Sequence, residues 1–221
     1  MRYKGKHCKD NGKSKYRTLG VVVCILVVAV AIAAGGVYSK YKETVTLDSV
    51  NLTVSSGKLA DVFTLQEHKA VQNSNGTYSL GTSVVTSNSY RVLPGVALPK
   101  DPYFTLSGKS KVASYLYVEV IDNSNGADLS YSLTDDWMDL NLTGDKGGKV
   151  YVYTGGGNTA ALLKEDFSAD QLFILKNNQI TVSKANKSSL DVTISFYGYL
   201  AQASLADNAR DVYTTCFGGG N

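Results

Sequence analysis

In Leu190–Leu200 polar and apolar residues take turns along the chain: Leu190, Val192, Ile194, Phe196 and Leu200 fall on one face, and Asp191, Thr193, Ser195, Tyr197 and Tyr199 on the other. Successive side chains of a β-strand point to opposite sides, so a period of two marks a strand with one buried face. Val112–Ile121 repeats the pattern, with Val112, Leu116, Val118 and Val120 opposite Tyr115, Tyr117 and Glu119. Val150-Tyr151-Val152-Tyr153 alternates valine with tyrosine. All three read as half-buried strands, aliphatic side chains inward and tyrosines and polar groups outward.

Weaker strand signals lie at Val45–Val54, Gly76–Leu80, Tyr90–Leu93, Tyr103–Leu106, Leu172–Leu175 and Ile180–Val182. In the first, the apolar phase shifts between Leu47 and Val50, as a bulge near Asp48-Ser49 would make it. Turn dipeptides punctuate the chain, among them Asn75-Gly76, Pro94-Gly95, Asn125-Gly126, Gly147-Gly148 and Asn177-Asn178. Many short strands without alternating helices predict an all-β domain, a β-sandwich or jelly roll. One helix is expected over 204–217: Ser204 caps it, Asp207 follows three residues on, and Leu205, Ala209, Val212 and Cys216 share a face. Gly218 ends it, and Cys216 packs beneath it as a small hydrophobe.

The first 39 residues have a different character. Seven bases (Arg2, Lys4, Lys6, Lys9, Lys13, Lys15, Arg17) and one acid, Asp10, precede an uninterrupted apolar and small-residue run from Leu19 to Ala34. Gly35, Gly36, Val37, Tyr38 and Ser39 follow. A basic start, an apolar core and a small-residue exit form the pattern of a secretory signal, with Val37 and Ser39 placed for cleavage before Lys40. An uncleaved membrane anchor is the competing reading, since the run from Leu19 to Tyr38 is just long enough to span a bilayer. The chain is thus expected to divide into a signal, 1–39, and an exported domain, 40–221, that touches a membrane only through an uncleaved signal.

Charge follows the same division. Of 22 Lys+Arg and 19 Asp+Glu, the export segment takes seven and one, so the remainder carries about −3. The formal +3 of the whole chain therefore gives no reason to expect a nucleic-acid partner. Cys8 and Cys24 lie in the signal, leaving Cys216 as the one cysteine of the exported domain and no internal disulfide there.

The exported part is poor in catalytic patterns. Its single histidine, His68, reads as a solvated loop residue beside Glu67, and zinc hydrolases use about three protein ligands, so neither a metal nor any other cofactor is expected. There is no Gly-x-Ser-x-Gly elbow. Asp122–Asp128 has its glycine at position 5 and lacks an acid at position 12, so a hairpin turn is preferred to a calcium loop. Asp135, Asp136 and Asp139 around Trp137 read as a solvated acidic loop.

Ala33-Ala34-Gly35-Gly36-Val37-Tyr38-Ser39-Lys40-Tyr41 resembles the signal ending of TasA and its relatives, proteins of Gram-positive bacteria cut by the SipW type of signal peptidase. Val37 stands where that pattern has threonine, Tyr38 at its aromatic position and Ser39 at its alanine. Tyr90-Arg91-Val92-Leu93-Pro94-Gly95, Lys100-Asp101-Pro102 and Ser114-Tyr115-Leu116-Tyr117-Val118-Glu119-Val120 are similar to the family's Pro-Gly, Lys-Asp-Pro and tyrosine- and valine-rich strand block. The resemblance covers most of 33–217, with Thr64–Ser89 unmatched. It implies a secreted jelly roll that assembles into biofilm-matrix or cell-surface fibres, a neighbour taking up the mature N-terminal segment as an extra strand. The family's camelysin-like members are described as metalloproteases; no zinc site is recognisable in this sequence.

The function expected is that of a structural, non-enzymatic fibre subunit. Val45, Leu47, Val50, Leu52 and Val54 give the N-terminal segment the alternation of a donor strand, and equally that of the domain's own first strand. The alternative is a monomeric surface module binding glycan or protein through Tyr115, Tyr117, Tyr151, Tyr153, Tyr197 and Tyr199. A camelysin-type protease is a third, less favoured reading.

Overall fold

The computed structural model describes residues 43–47 (backbone only), 61–90, 95–123, 129–182 and 193–218, which belong to one unit, Lys40–Asn221. The described residues form an all-β sandwich with one short C-terminal helix. Its strands are β1 (Glu43–Leu47), β2 (Phe63–Gln72), β3 (Tyr78–Val85), β4 (Ala97–Pro99), β5 (Tyr103–Ser107), β6 (Ser114–Asn123), β7 (Leu129–Ser130), β8 (Trp137–Thr143), β9 (Lys149–Tyr153), β10 (Ser168–Phe173), β11 (Gln179–Val182) and β12 (Thr193–Gln202), followed by helix α1 (Ala209–Phe217). A five-stranded sheet runs β1-β12-β6-β9-β8, a four-stranded sheet β10-β5-β2-β3, and a small third sheet β4-β11-β7. Every described pairing is antiparallel.

The strongest alternations in the sequence form the middle of the five-stranded sheet. β6 and β12 pair over ten residues, from Thr193 opposite Asn123 to Gln202 opposite Ser114. Leu116, Val118, Val120, Phe196 and Leu200 of these strands face Phe63, Leu65, Phe104 and Leu106 of the four-stranded sheet in one buried cluster. Each such side chain contributes on the order of 1.5–3 kcal/mol through burial, before the entropy of ordering it. Gly198 keeps this packing close: a Cβ there would clash with Phe104 Cε1, so the ring occupies the place of the missing side chain.

The opposite face is not solvated, which corrects the expectation of outward tyrosines. Tyr117, Tyr199 and Glu119 are fully buried. Tyr117 and Tyr199 pack with Val150 and Val152 under Val212, Tyr213, Cys216 and Phe217 of α1. Tyr199 and Phe217 have ring centroids 4.8 Å apart, Tyr117 and Tyr213 5.2 Å. The Tyr117 hydroxyl donates to the Ala209 carbonyl at the start of α1, 2.8 Å away. Tyrosine suits this interface because its ring is apolar while its hydroxyl still finds a partner. In β9 the expected phase is reversed: Val150 and Val152 lie toward the helix, while Tyr151 and Tyr153 pack against the sandwich core.

Helix α1 also starts later than expected. Ala203–Leu205 is a 3-10 turn, Ala206 is extended, and the N-cap is Asn208 rather than Ser204. Asn208 Oδ1 accepts the Asp211 amide at 3.0 Å, a cap for which asparagine is well suited. Gly218 closes the helix, its amide donating to the Thr214 and Tyr213 carbonyls.

Several elements differ from the sequence expectation. Tyr90 lies outside the strands, and Arg91, Val92 and Leu93 fall outside the described residues, as does most of the Asp122–Asp128 turn. β2 and β8 were not expected. In β2 a charged residue, Glu67, takes the inward position after Phe63 and Leu65; in β8 the register shifts between Asp139 and Thr143, with Asn141 at φ 51°.

Burial of the tyrosines has a pH consequence. The Tyr117, Tyr199, Tyr213 and Tyr90 hydroxyls are pushed well above the ordinary value of about 10, chiefly because burial disfavours the phenolate. The folded state therefore holds these protons more tightly than the unfolded chain. Their contribution to stability is complete below pH 10 and is lost as pH rises beyond it. An alkaline titration followed by phenolate absorbance should show a late tyrosine class that ionises in one cooperative step together with loss of β-sheet circular dichroism. Ionisation of all tyrosines near pH 10, with the fold intact, would contradict this packing.

Candidate functional site

β1 occupies the edge of the five-stranded sheet. It pairs with β12 antiparallel, Glu43 opposite Leu200, Val45 opposite Gly198 and Leu47 opposite Phe196. Among the described residues its main chain pairs with a strand on one side only. β12 extends past it at both ends, Thr193–Ser195 and Ala201–Gln202 having no β1 partner. A ladder of this kind is made of backbone groups and accepts any extended segment of suitable length. The segment expected to donate a strand thus has part of its length, with Val45 and Leu47, in a strand slot of its own domain. Val50, Leu52 and Val54 lie outside the described residues, as do Ser39 and Lys40 at the expected cleavage point.

Against the Phe196 ring of β12 lies a buried charged network that no sequence pattern announces. Lys100 Nζ lies 2.9 Å from Glu67 Oε2 and 3.2 Å from Oε1, both residues are buried, and the ammonium sits 5.8 Å from the centroid of the Phe196 ring in β12. The next residues pair as well: His68 Nδ1 is 2.6 Å from Asp101 Oδ2, and the His68 amide donates to Asp101 Oδ1 at 2.9 Å. His68 is therefore a half-buried strand residue, not the solvated loop residue expected. Its strand needs such partners, because β5 pairs with β2 only over Phe63–Gln66. Beyond that point Asp101 and Asn88 satisfy the exposed edge: Asn88 accepts the Ala70 amide and donates to the His68 carbonyl, both at 2.7 Å. Lys100-Asp101-Pro102, noted in the sequence for its resemblance, is thus a structural clasp on β2. The Tyr90 hydroxyl donates to the Pro99 carbonyl beside it.

A second buried carboxylate holds the β8–β9 turn. Glu119 Oε1 accepts the Lys146 and Gly148 amides at 2.9 and 2.7 Å, and Oε2 accepts the Tyr199 hydroxyl at 2.5 Å. Gly144 leaves room for it, since a Cβ there would clash with the Glu119 carboxylate. This residue was expected to face outward; it is buried because α1 covers that face and the turn's amides compensate its charge.

Of the six tyrosines expected to offer a binding face, Tyr117 and Tyr199 are buried under α1, whereas Tyr115, Tyr151, Tyr153 and Tyr197 are partly exposed. They are split between the two faces of one sheet and form no single patch. Tyr151 does border an open cleft of about 740 Å³, with Tyr131, Asp122, Asp135, Asp139 and Lys149. Among the described residues no three His, Cys, Asp or Glu side chains group closely enough to hold a metal ion. Comparison with protein-family models, with curated proteins and with solved structures finds no match for this chain.

Proposed function

We propose that this chain is a secreted structural subunit of extracellular-matrix or cell-surface fibres, joined by exchange of its N-terminal strand. The observation that supports this most is the position of β1: the segment just after the expected cleavage point is an edge strand, held to β12 by main-chain pairing. A strand at a chain terminus can leave its slot and be replaced by the same strand of a neighbour at little net cost, because identical pairing re-forms between subunits. An uncleaved signal would tether that end at the membrane, so a SipW-type cleavage between Ser39 and Lys40 would release assembly.

Removal of residues 40–55 tests the proposal. The truncated protein is expected to stay monomeric in negative-stain images under conditions where the intact secreted protein forms filaments. A synthetic 40–55 peptide added to intact monomers should occupy the slot and stop elongation. Unchanged filaments from the truncated protein, or no effect of the peptide, would rule out strand exchange. A second reading, a monomeric surface-binding module, draws support from the cleft around Tyr131 and Tyr151.

A further inference from the structure

The cleft lies beside the ends of β6 and β9, and its lining is chemically one-sided. Asp122, Asp135 and Asp139 contribute three carboxylates against one lining ammonium, Lys149; Lys176 approaches Asp135 at 3.6 Å. Two half-buried tyrosines, Tyr131 and Tyr151, line the cleft together with the carboxylates. Burial first, and then the neighbouring Asp122 carboxylate, push the Tyr131 hydroxyl up to about 12; burial and Asp139 raise that of Tyr151. Asp139 stands opposite Tyr151 in the β8–β9 ladder, and Asp122 and Tyr131 line the same cleft. One wall is rigid: Gly147 and Gly148 belong to the turn that buried Glu119 holds through its amides.

A ring face beside a carboxylate attracts an ammonium or guanidinium twice, through the ring quadrupole and through charge. An uncharged sugar would use the rings but draw little from the excess of acids, and an anion would be repelled. The aliphatic stem of a lysine or arginine also suits a cleft whose lining includes Tyr131, Trp137 and Tyr151. We propose that this cleft binds the lysine or arginine side chains of a basic polypeptide segment. The inference is independent of strand exchange, since a subunit presents the cleft on its own sheets whether or not it polymerises.

Hexalysine added to the isotope-labelled secreted protein tests it. Saturable amide shifts are expected at Asp122, Tyr131, Asp139 and Tyr151, weakening as salt is raised. Fully acetylated hexalysine should give none. Asp122→Asn and Asp139→Asn should each lower affinity about fivefold, the usual scale of one exposed charge contact, and together more than about tenfold. Asp170→Asn, an exposed acid of β10 outside the cleft, changes net charge equally and should leave affinity unchanged. Because the mapping and the acetylated control use the native protein, the test does not depend on the variants folding. Equal losses from Asp170→Asn and from the cleft variants would show non-specific charge attraction and overturn the proposal. So would an absence of shifts in the cleft, or shifts there with a neutral oligosaccharide and not with hexalysine.

Discussion

Replacing Lys100 with methionine is expected to lower stability by about 3–5 kcal/mol, the usual result of stripping a buried ion of its partner. Glu67 is 0 % exposed, and its two oxygens lie 3.2 and 2.9 Å from the Lys100 ammonium. Methionine keeps most of the side-chain length and its contact with the Phe196 ring, so packing changes little and the loss reports the stranded carboxylate. A second replacement separates charge from packing. In the Glu67→Leu, Lys100→Met double variant no buried charge is left unpaired, and most of the stability should return. Urea midpoints at unchanged slope measure both quantities. A single-variant loss under about 1 kcal/mol, a size typical of exposed pairs, would show that water reaches this site. The double variant should also retain the β1 slot, since it leaves the main chain of β12 untouched.

Replacing Glu119 with alanine is expected to cost about 3 kcal/mol or more, because two buried donors and one half-buried donor lose their acceptor at once and each buried stranded group costs about 1–3 kcal/mol. Those donors are the Lys146 and Gly148 amides and the Tyr199 hydroxyl. Amide exchange gives the local reading. Lys146 and Gly148 should lose protection far more than the amides of β6 and β12, as the turn opens without global unfolding. Glu119→Gln should fall between, since its carbonyl can still accept the two amides while its NH₂ cannot accept from Tyr199. If exchange at Lys146 and Gly148 is the same in the alanine variant, Glu119 does not hold the turn. Loosening this wall should also weaken any ligand of the adjacent cleft, linking a buried core residue to a surface site.

Both variants concern charged residues that the sequence hid. Glu119 sits in Tyr117-Val118-Glu119-Val120, where alternation puts it with the tyrosines on a face that a two-layer sheet would leave wet. Glu67 breaks the alternation of Phe63 and Leu65, which is why β2 is illegible as a strand. In each case the residue is inward because its partner arrives from elsewhere in the chain: Lys100 is 33 positions away and Gly148 is 29. No local pattern carries that information. β8 is hidden for a different reason, since its register shift near Asn141 breaks the period of two.

By itself the sequence determined what depends on neighbouring residues. Period-two alternation placed β6, β9 and β12, Asn75-Gly76 placed a turn with Gly76 at φ 83°, and helical spacing placed the buried face that carries Val212 and Cys216. Tertiary structure alone decided which faces were covered, because covering is a contact between distant segments. The hydroxyl of Tyr117 meets the carbonyl of Ala209 across 92 positions, and that contact makes the sheet two-sided. The order of strands, the place of β1 beside β12 and the gathering of Asp122, Tyr131, Asp139 and Tyr151 around one cleft are of the same kind. A strand's own residues state that it will pair and which side is apolar; the partner is set by the packing of the whole chain.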